Sequence, residues 1–464
     1  MSLESYQSFG RSTSYWMQRY RDGNARSGMA ELYNWYCPSV EHARRGFYQN
    51  AVHGKCFYNF GLMEIFKQPS GEYLWRWEEG RWDAAREVFG RVRANKEFYR
   101  IKPSAAKVAV MYSERECAIT RNNAYQPCAV PQRADQNAMA TWVSLGQSHI
   151  LADVIYADYV QLEKLGKYAV IVLNDAKYLT DAEMDVLRAW VKAGGTLIAQ
   201  GATSLFDGWT AKMRKNYALA DLFGADYVKT DYLPDDEADT FCRRRGDSRA
   251  SFRFVTGLDG NEARFHSQDS IHRDKKPAKG IAEVTFGELT AEIDAAVGID
   301  RVKPTTAKVV ATFKDGSPAI LENAFGKGRC YLQCSAYPSM GHTTSEWEMM
   351  PNKWDFWPGN REMLEKLVRS GLRNAAVEQA VEAKNLSGDV EVTVDDYGSK
   401  YVVHLLDYNV QTKSVKGGRL VLPGTRAIAR AFYPDTKSDA ALTGREIALR
   451  EFSAYDMVVI EFAE

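Results

Sequence analysis

Two patterns of apolar residues divide the chain. Between residues 103 and 376, short apolar runs alternate with helical patterns, whereas from residue 377 onward apolar and polar residues alternate over short runs separated by turn residues. The first pattern is typical of a parallel sheet with crossover helices, and the second of antiparallel strands. We therefore expect an α/β region at 103–376 and a small antiparallel β-sandwich at 377–464.

The α/β region predicts a doubly wound parallel sheet. Apolar strands are expected at 107–113, 153–160, 168–175 and 195–201. Thr180 and Glu183 form a capping box that begins a helix, and Gly194 ends it. Strand, helix and strand in this order, joined by short turns, favour a flavodoxin-like layout similar to that of class I glutamine amidotransferases.

The second half of this region is less regular. Residues from about 229 to 305 are polar and rich in Asp, Arg and Lys, which predicts either an insertion or an extension of the sheet. Residues 319–336 predict a hairpin with Gly326 and Gly328 at its turn, and 359–376 predicts a helix.

Residues 1–102 show the order helix, strand, helix, strand, helix, with Ile101–Ser104 as a linker. This alternation indicates βα units on a parallel sheet. Two strands cannot form a sheet that is buried on both faces. We therefore expect another part of the molecule to complete it.

Charge and composition exclude several classes of function. The chain has 60 basic and 60 acidic side chains, so no global field attracts nucleic acid or an acidic membrane surface. The seven Cys show no CxxC pair and no zinc-like spacing with His, so we expect reduced thiols and no metal site. Neither a basic, apolar leader nor a run of about 18 apolar residues is visible, so we expect a soluble protein, cytoplasmic by default.

A nucleophile of the amidotransferase type is not expected in the flavodoxin-like region. After the strand at 195–201 the sequence is ATSLFDG, which contains Ser204 but no Cys and no elbow of small residues. Cys330 and Cys334 lie four positions apart on a predicted strand and are expected in the core. His342 suits either a pocket or a surface loop.

Two carboxylates in aromatic surroundings are candidates for catalysis. Glu31 in MAELYNWY and Glu64 in FGLMEIF each lie at or just past the end of a predicted strand. Two carboxylates at barrel strand ends are the minimum set for glycoside hydrolysis. Alternatively, Glu31 is a buried structural carboxylate paired with Arg19 or Tyr33, and Glu64 lies on an exposed loop.

Several segments of the sequence resemble those of a known family. MAELYNWY, then HARRGFYQNAVHGKCFYNF, a helix, a linker and KVAVMYS resemble the end of the catalytic barrel of glycoside hydrolase family 42 β-galactosidases, leading into their middle, trimerisation domain. The segments YAVIVLNDAKYLTDAEMDVLRAWVKAGGTLIAQGATSLFD and GSPAILENAFGKGRCYLQCSAYP carry the closest resemblance to that middle domain. The resemblance implies a (β/α)8 barrel remnant at 1–102, the flavodoxin-like domain at 103–376 and the β-sandwich at 377–464.

The resemblance also implies roles for particular residues. Glu31 falls at the family's nucleophile position, after the seventh barrel strand, and Asn34, Trp35, Tyr58 and Glu64 fall where substrate is contacted. The family's acid/base Glu belongs to an earlier strand and has no counterpart here. A complete barrel takes about 250 residues, and about 100 fall in this part of the chain. We therefore expect little glycosidase activity from this chain alone.

Two hypotheses follow. In the first, the chain is the C-terminal portion of a retaining β-galactosidase-like hydrolase that needs no cofactor, takes a carbohydrate substrate and forms a homo-oligomer, a trimer or a dimer. In the second, it is a non-catalytic oligomerisation or carbohydrate-binding protein whose aromatic N-terminal segment packs on the flavodoxin-like domain. In either case we expect the apolar residues Phe57, Phe60 and Ile65 to be covered by that domain or by a second chain.

Overall fold

A computed structural model describes most of the chain from residue 40 onward. The described residues are 40–54, 81–100, 102–113, 115, 133–157, 160–231, 281–294, 299–335, 341–342, 354–355, 358–409 and 413–463. The helices are α1 (Val40–Gln49), α2 (Arg81–Ala94), α3 (Arg133–Gln147), α4 (Leu162–Leu165), α5 (Asp181–Ala193), α6 (Ala220–Phe223) and α7 (Pro358–Asn374). A π-helical turn, Asn50–Gly54, continues α1, and a 3-10 turn, Lys96–Tyr99, follows α2. No described helix is long and apolar enough to cross a membrane.

The strands fall into two regions. The central region contains β1 (Val108–Tyr112), β2 (Ala152–Tyr156), β3 (Val170–Asn174), β4 (Tyr178–Leu179), β5 (Thr196–Gln200), β6 (Phe206–Asp207), β7 (Ala225–Asp231), β8 (Ile281–Phe286), β9 (Leu289–Asp294), β10 (Ile299–Pro304), β11 (Lys308–Phe313), β12 (Pro318–Phe325), β13 (Gly328–Gln333), β14 (Gly341–His342) and β15 (Trp354–Asp355). The C-terminal region contains β16 (Glu382–Lys384), β17 (Val390–Asp396), β18 (Lys400–Asp407), β19 (Arg419–Val421), β20 (Ile428–Tyr433), β21 (Ser438–Asp439), β22 (Ala441–Thr443), β23 (Glu446–Ala448) and β24 (Tyr455–Phe462).

A nine-stranded sheet organises the central region, in the order β2-β1-β3-β5-β13-β12-β11-β8-β9. The first five strands pair in parallel, and the other four join as antiparallel neighbours. Every residue of β3 and β5 is buried, which requires cover on both faces of the sheet. Strands β8 and β9 lie in the polar segment for which an insertion or a sheet extension was expected, and here they extend the sheet.

Local sequence determines the central helices and turns as expected. Thr180 accepts a hydrogen bond from the Glu183 backbone, and the Glu183 side chain accepts one from the Thr180 backbone, so the predicted capping box of α5 is confirmed. The predicted hairpin is also confirmed, because β12 and β13 pair around Gly326, whose φ of 61° favours glycine. The predicted helix at 359–376 is α7.

Two antiparallel sheets form the C-terminal region. One has the order β17-β18-β24-β20-β21 and the other β16-β19-β23-β22. They share one hydrophobic core, to which the first sheet contributes Val403 and Ile460 and the second Leu420 and Ile447. This arrangement agrees with the sandwich that the alternating pattern predicts.

The N-terminal helices pack on the other face of the five-stranded sheet. Phe47 and Tyr48 of α1 and Val88 of α2 form a separate apolar cluster with Val402 and Met457. The hypothesis that the N-terminal segment packs on the flavodoxin-like domain is therefore wrong for α1 and α2, because the outward residues of β18 and β24 are themselves apolar and need cover. The predicted strands around these helices, with Phe57, Phe60 and Ile65, lie outside the described residues.

A close backbone approach at a glycine of the central sheet yields a stability prediction. A Cβ atom at Gly328 would lie 2.1 Å from the Val191 carbonyl oxygen and 2.2 Å from that of Gly195. We expect Gly328→Ala to lower the free energy of unfolding by about 2 to 3 kcal/mol, because backbone atoms cannot move aside as a flexible side chain can. Urea unfolding measures this value.

Gly90 in α2 provides the matched control, because a Cβ atom added there would have no neighbouring atom within 4 Å. Gly90→Ala is expected to stabilise the protein by about 0.5 to 1 kcal/mol through helix propensity. Equal effects of the two substitutions would contradict the close packing of β13 against the connection between α5 and β5.

Candidate functional site

The residues predicted to act on substrate lie outside the described part of the chain. These are Glu31, Asn34, Trp35, Tyr58 and Glu64. Their roles remain predictions. The structure does describe a segment that lies in sequence between Trp35 and Tyr58. In this segment α1 begins at Val40 and its π-helical continuation ends at Gly54. The attachment of this segment is therefore the geometry that bears on the predicted site.

A buried arginine attaches α1 to the C-terminal sheet. The Arg45 Nε atom donates to the Asp407 carbonyl oxygen at 2.8 Å, and Nη2 donates to the Asn409 carbonyl oxygen at 3.1 Å. Nη1 donates to the Glu41 carboxylate at 2.6 Å. Burial raises the pKa of Asp407 to about 6. Because its donors meet carbonyl and carboxylate oxygens, Arg45 tolerates an exposure of only 3%.

A buried histidine joins three parts of the molecule at the end of this segment. His53 Nε2 lies 2.9 Å from the Glu391 carboxylate of β17, which also accepts a 2.7 Å hydrogen bond from the Tyr408 hydroxyl. The His53 ring meets the Trp142 ring of α3 edge-on at 5.4 Å. A cavity of about 30 Å³ beside this contact is lined in part by His53, Trp142, Asp153 and Glu391, and it is large enough for one water molecule.

Stacked rings and a second arginine fix the orientation of α1 and α2. The Tyr48 and Tyr455 rings stack with centroids 4.3 Å apart. The Arg91 guanidinium lies 4.8 Å from the Tyr455 ring centre and donates to Asp456 at 2.9 Å. Burial raises the pKa of both tyrosines. We call these contacts of Arg45, His53, Tyr48 and Arg91 the junction. Arg45, His53 and Tyr48 are buried and Arg91 is partly buried, so the junction attaches α1 and α2 to the C-terminal sheet.

The carboxyl ends of the parallel strands form a second candidate location, since doubly wound sheets bind ligands there. Asn174, Gln200 and Gln333 end three neighbouring strands in register, so their carboxamides share one face of the sheet. Within the described structure, both polar atoms of the Gln200 side chain and the Oε1 atom of Gln333 are buried without a hydrogen-bond partner. Polar residues that end the apolar runs VIVLN and TLIAQ were the sequence signal for this edge.

A buried carboxyl group lies near the same edge. Asp300 accepts hydrogen bonds from the Thr230 hydroxyl at 2.6 Å and the Tyr217 hydroxyl at 3.2 Å. Its backbone N–H donates to the Cys334 carbonyl oxygen at 2.8 Å. Burial, with the nearby Asp175 charge adding to it, raises the pKa of Asp300 to about 6. Sequence reasoning missed this group because its partners are up to 83 positions away.

Comparison with known proteins identifies the family of the central region. Residues 106–344, just over half of the chain, match the family model described as the β-galactosidase trimerisation domain. The chain belongs to the β-galactosidase trimerisation domain family. The resemblance to glycoside hydrolase family 42 proteins is therefore confirmed. A search of curated proteins found no match.

Solved structures extend the comparison of the fold from the trimerisation domain to most of the chain. A catalytic mutant of Gan42B, a GH42 β-galactosidase from G. stearothermophilus, is similar with a TM-score of 0.59 and 15% identity over 91% of this chain and 51% of that one. The β-galactosidase from Bacillus circulans sp. alkalophilus gives 0.56 and 14% over 91% and 52%. The α-L-fucosidase isoenzyme 2 from Paenibacillus thiaminolyticus gives 0.57 and 13% over 92% and 58%. The chain thus spans between half and three-fifths of the length of these proteins, and at this identity the likeness concerns the fold.

In the trimerisation domain, Ser204, the residue considered as a nucleophile, has an unexpected backbone conformation. Ser204 has a φ of 65°, a conformation found in strained nucleophile elbows, which its sequence context did not indicate. Its side chain is completely buried, and its hydroxyl accepts a 3.2 Å hydrogen bond from the Leu219 backbone. Cys330 and Cys334 are buried as expected, and burial raises the pKa of both thiols. These groups serve the packing of the trimerisation domain.

Metal-binding groups are not clustered in the trimerisation domain or its neighbours, as far as the structure describes them. Among those residues, no three His, Cys, Asp or Glu side chains are grouped so that they could hold a metal ion. His342 lies on the short strand β14, which pairs with β15.

Asp300 of the trimerisation domain gives a prediction on pH. The folded state retains the Asp300 proton up to about pH 6, whereas the unfolded chain releases it near its ordinary pKa of 3.8. The stability that this group contributes is therefore present below pH 3.8 and is lost as the pH rises to 6. We expect Asp300→Asn to remove this loss, which is about 1 to 3 kcal/mol between pH 4 and pH 7.

Urea unfolding of the wild type and of Asp300→Asn at several pH values between 4 and 7 measures the difference. Asp83→Asn makes the same chemical change at an exposed position of α2 and is the control. Its stability should depend on pH in the same way as that of the wild type. Parallel profiles for the wild type and Asp300→Asn would show that Asp300 does not titrate differently in the folded protein.

Proposed function

We propose that this chain is the C-terminal portion of a retaining glycoside hydrolase of the β-galactosidase type. The observation that carries the proposal is the extent of the fold likeness. It covers 91% of the chain with family 42 β-galactosidases, whereas the trimerisation domain match covers residues 106–344. The likeness therefore extends beyond the trimerisation domain on both sides.

Glu31 is the proposed nucleophile. In a retaining mechanism a carboxylate attacks the anomeric carbon and forms a glycosyl-enzyme intermediate, while a second carboxyl group protonates the leaving oxygen. Asn34, Trp35, Tyr58 and Glu64 are the proposed substrate contacts. The family's acid/base Glu belongs to an earlier barrel strand, and we infer that this chain alone does not supply the group that assists departure of the leaving oxygen.

The junction has a positioning role in this proposal. The segment with Glu31, Asn34 and Trp35 precedes α1, and the segment with Tyr58 and Glu64 follows the π-helical turn. Arg45 and His53 attach the helix between these segments to the C-terminal sheet. Buried, hydrogen-bonded groups hold a helix more tightly than exposed pairs do, so Arg45 and His53 fix the position of α1 and its π-helical turn between the two proposed parts of the site.

We also propose the finer domain assignment. The five parallel strands, numbered by their order in the sequence, have the sheet order 2-1-3-4-5, which supports a flavodoxin-like fold for the domain at 103–376. The segment 1–102 is the barrel remnant and 377–464 the C-terminal sandwich. The trimerisation domain supports assembly into a homo-oligomer, a trimer or a dimer, and the substrate is a carbohydrate.

The alternative is a non-catalytic oligomerisation or carbohydrate-binding protein. It is favoured by the fact that just over half of the chain matches a trimerisation domain. The neighbours of similar TM-score include both β-galactosidases and an α-L-fucosidase, so fold likeness does not select one sugar. Light scattering on the purified chain gives the number of copies, and a sugar titration followed by Trp fluorescence tests for carbohydrate binding without turnover.

The test of the proposal is hydrolysis of 4-nitrophenyl β-D-galactopyranoside by the purified 464-residue chain. We expect no turnover above the uncatalysed rate, and no difference between the wild type and Glu31→Gln, because a nucleophile without its acid/base partner does not complete the reaction. Glu163→Gln, the same change at an exposed position of α4, controls for general effects. Turnover that Glu31→Gln abolishes and Glu163→Gln retains would overturn the proposed lack of activity.

A further inference from the structure

One aromatic side chain of the trimerisation domain is left almost entirely in water. Trp209 is 79% exposed, more than any other large hydrophobic residue that the structure describes. It lies on the loop that follows β6. Single exposed apolar residues are common on protein surfaces and need no function. Trp209 differs because both its backbone and one face of its ring are held in place.

The backbone of the loop is fixed by one carboxylate. Asp207 Oδ1 accepts hydrogen bonds from the Trp209 backbone at 3.0 Å, the Thr210 backbone at 2.8 Å and the Thr210 hydroxyl at 2.9 Å. Backbone hydrogen bonds from Asp207 to Lys212 and from Arg214 to Leu205 close the loop at 2.9 and 2.8 Å. The loop therefore presents Trp209 on a defined backbone.

One face of the indole ring contacts an arginine whose own position is fixed by a salt bridge. The Arg115 guanidinium lies 5.0 Å from the Trp209 ring centre. Arg115 donates to both carboxylate oxygens of Glu183, at 3.0 and 2.9 Å, and Glu183 is buried in the capping box of α5. A bidentate pair to a buried carboxylate fixes the guanidinium, and the cation–π contact then orients the ring.

Polar groups adjoin the loop that carries Trp209. Arg214 bridges two carboxylates, with Nη2 3.2 Å from Asp181 and 3.1 Å from Asp207. Hydrogen bonds from Thr210, above all from its backbone N–H, lower the pKa of Asp207, so this carboxylate is ionised at neutral pH. The loop thus combines one exposed aromatic ring with charged hydrogen-bonding groups bound to its backbone and to one another.

We propose that the exposed face of Trp209 is a saccharide-binding platform that stacks one pyranose ring. The C–H groups of a pyranose carry partial positive charge and suit the negative face of an aromatic ring, while its hydroxyl groups suit the carboxylates and guanidinium at the edge. The site lies in the trimerisation domain and does not use Glu31, so it is additional to the function proposed above.

Two other occupants fit the surface less well. A second copy of the chain would need about 800 Å² of buried surface per partner with an apolar centre, whereas the exposed large apolar residues described on this loop are Trp209 and Met213. A nucleic acid would place phosphates beside Asp181 and Asp207, which repel them. A single sugar ring needs only one exposed aromatic face with hydrogen-bonding groups on the same loop, and Trp209 and Asp207 provide these.

Saturation-transfer NMR with methyl β-D-galactopyranoside and methyl β-D-glucopyranoside tests the platform. We expect saturable binding with a Kd of millimolar order, typical of one stacked ring, and at least a tenfold weaker binding in Trp209→Ala. Trp209→Phe should retain part of the affinity because it keeps an aromatic face. Phe89→Ala is the matched control, because it removes an exposed aromatic ring on α2 and should not change binding.

Three results would overturn the proposal. They are the absence of saturable binding of either glycoside by the wild type, equal affinity in the wild type and Trp209→Ala, and a change in copy number in Trp209→Ala by light scattering, which would assign the surface to a second copy. Since Trp209 is exposed, Trp209→Ala should fold with an unchanged thermal midpoint. Binding rather than turnover is the readout, so failure of the catalytic proposal leaves this test unaffected.

Discussion

The structure outside the central sheet depends on the burial of both faces of one antiparallel sheet. In β18, Val403 and Leu405 point into the sandwich core, whereas Val402 and Leu406 point the other way. An antiparallel sheet commonly leaves one face in water, but a sheet with two apolar faces requires a second cover. Helices α1 and α2 supply it, and this determines where these two helices lie.

Charged groups at this contact specify how the helices sit. Burying apolar surface gives no preferred orientation, because the hydrophobic effect is not directional. Arg45, His53 and Arg91 each meet particular oxygen atoms of the C-terminal sheet, and a displaced helix would leave these polar groups without their partners. The apolar cluster thus provides stability, and the polar contacts select one arrangement.

Local patterns predicted the elements well and their long-range contacts poorly. The capping box of α5, the hairpin at Gly326 and the burial of Cys330 followed from residues within a few positions of one another. The contact of Arg45 with Asp407 spans 362 positions, and no local pattern specifies such a contact. The run YVVHLLDY did contain a usable sign, since consecutive apolar residues in an antiparallel strand indicate two buried faces. The rigid presentation of Trp209 was equally invisible in sequence, because Arg115 and Glu183 come from separate segments.

Native-state hydrogen exchange of the α1 amides is the most direct test of this account. If α1 is an integral cover of the five-stranded sheet, amides near Tyr48 and amides of β18 near Val403 should exchange with opening free energies that agree within about 1 kcal/mol, because both open together. Opening free energies for α1 several kcal/mol below those of β18 would contradict the account, since the helix would then leave the sheet independently.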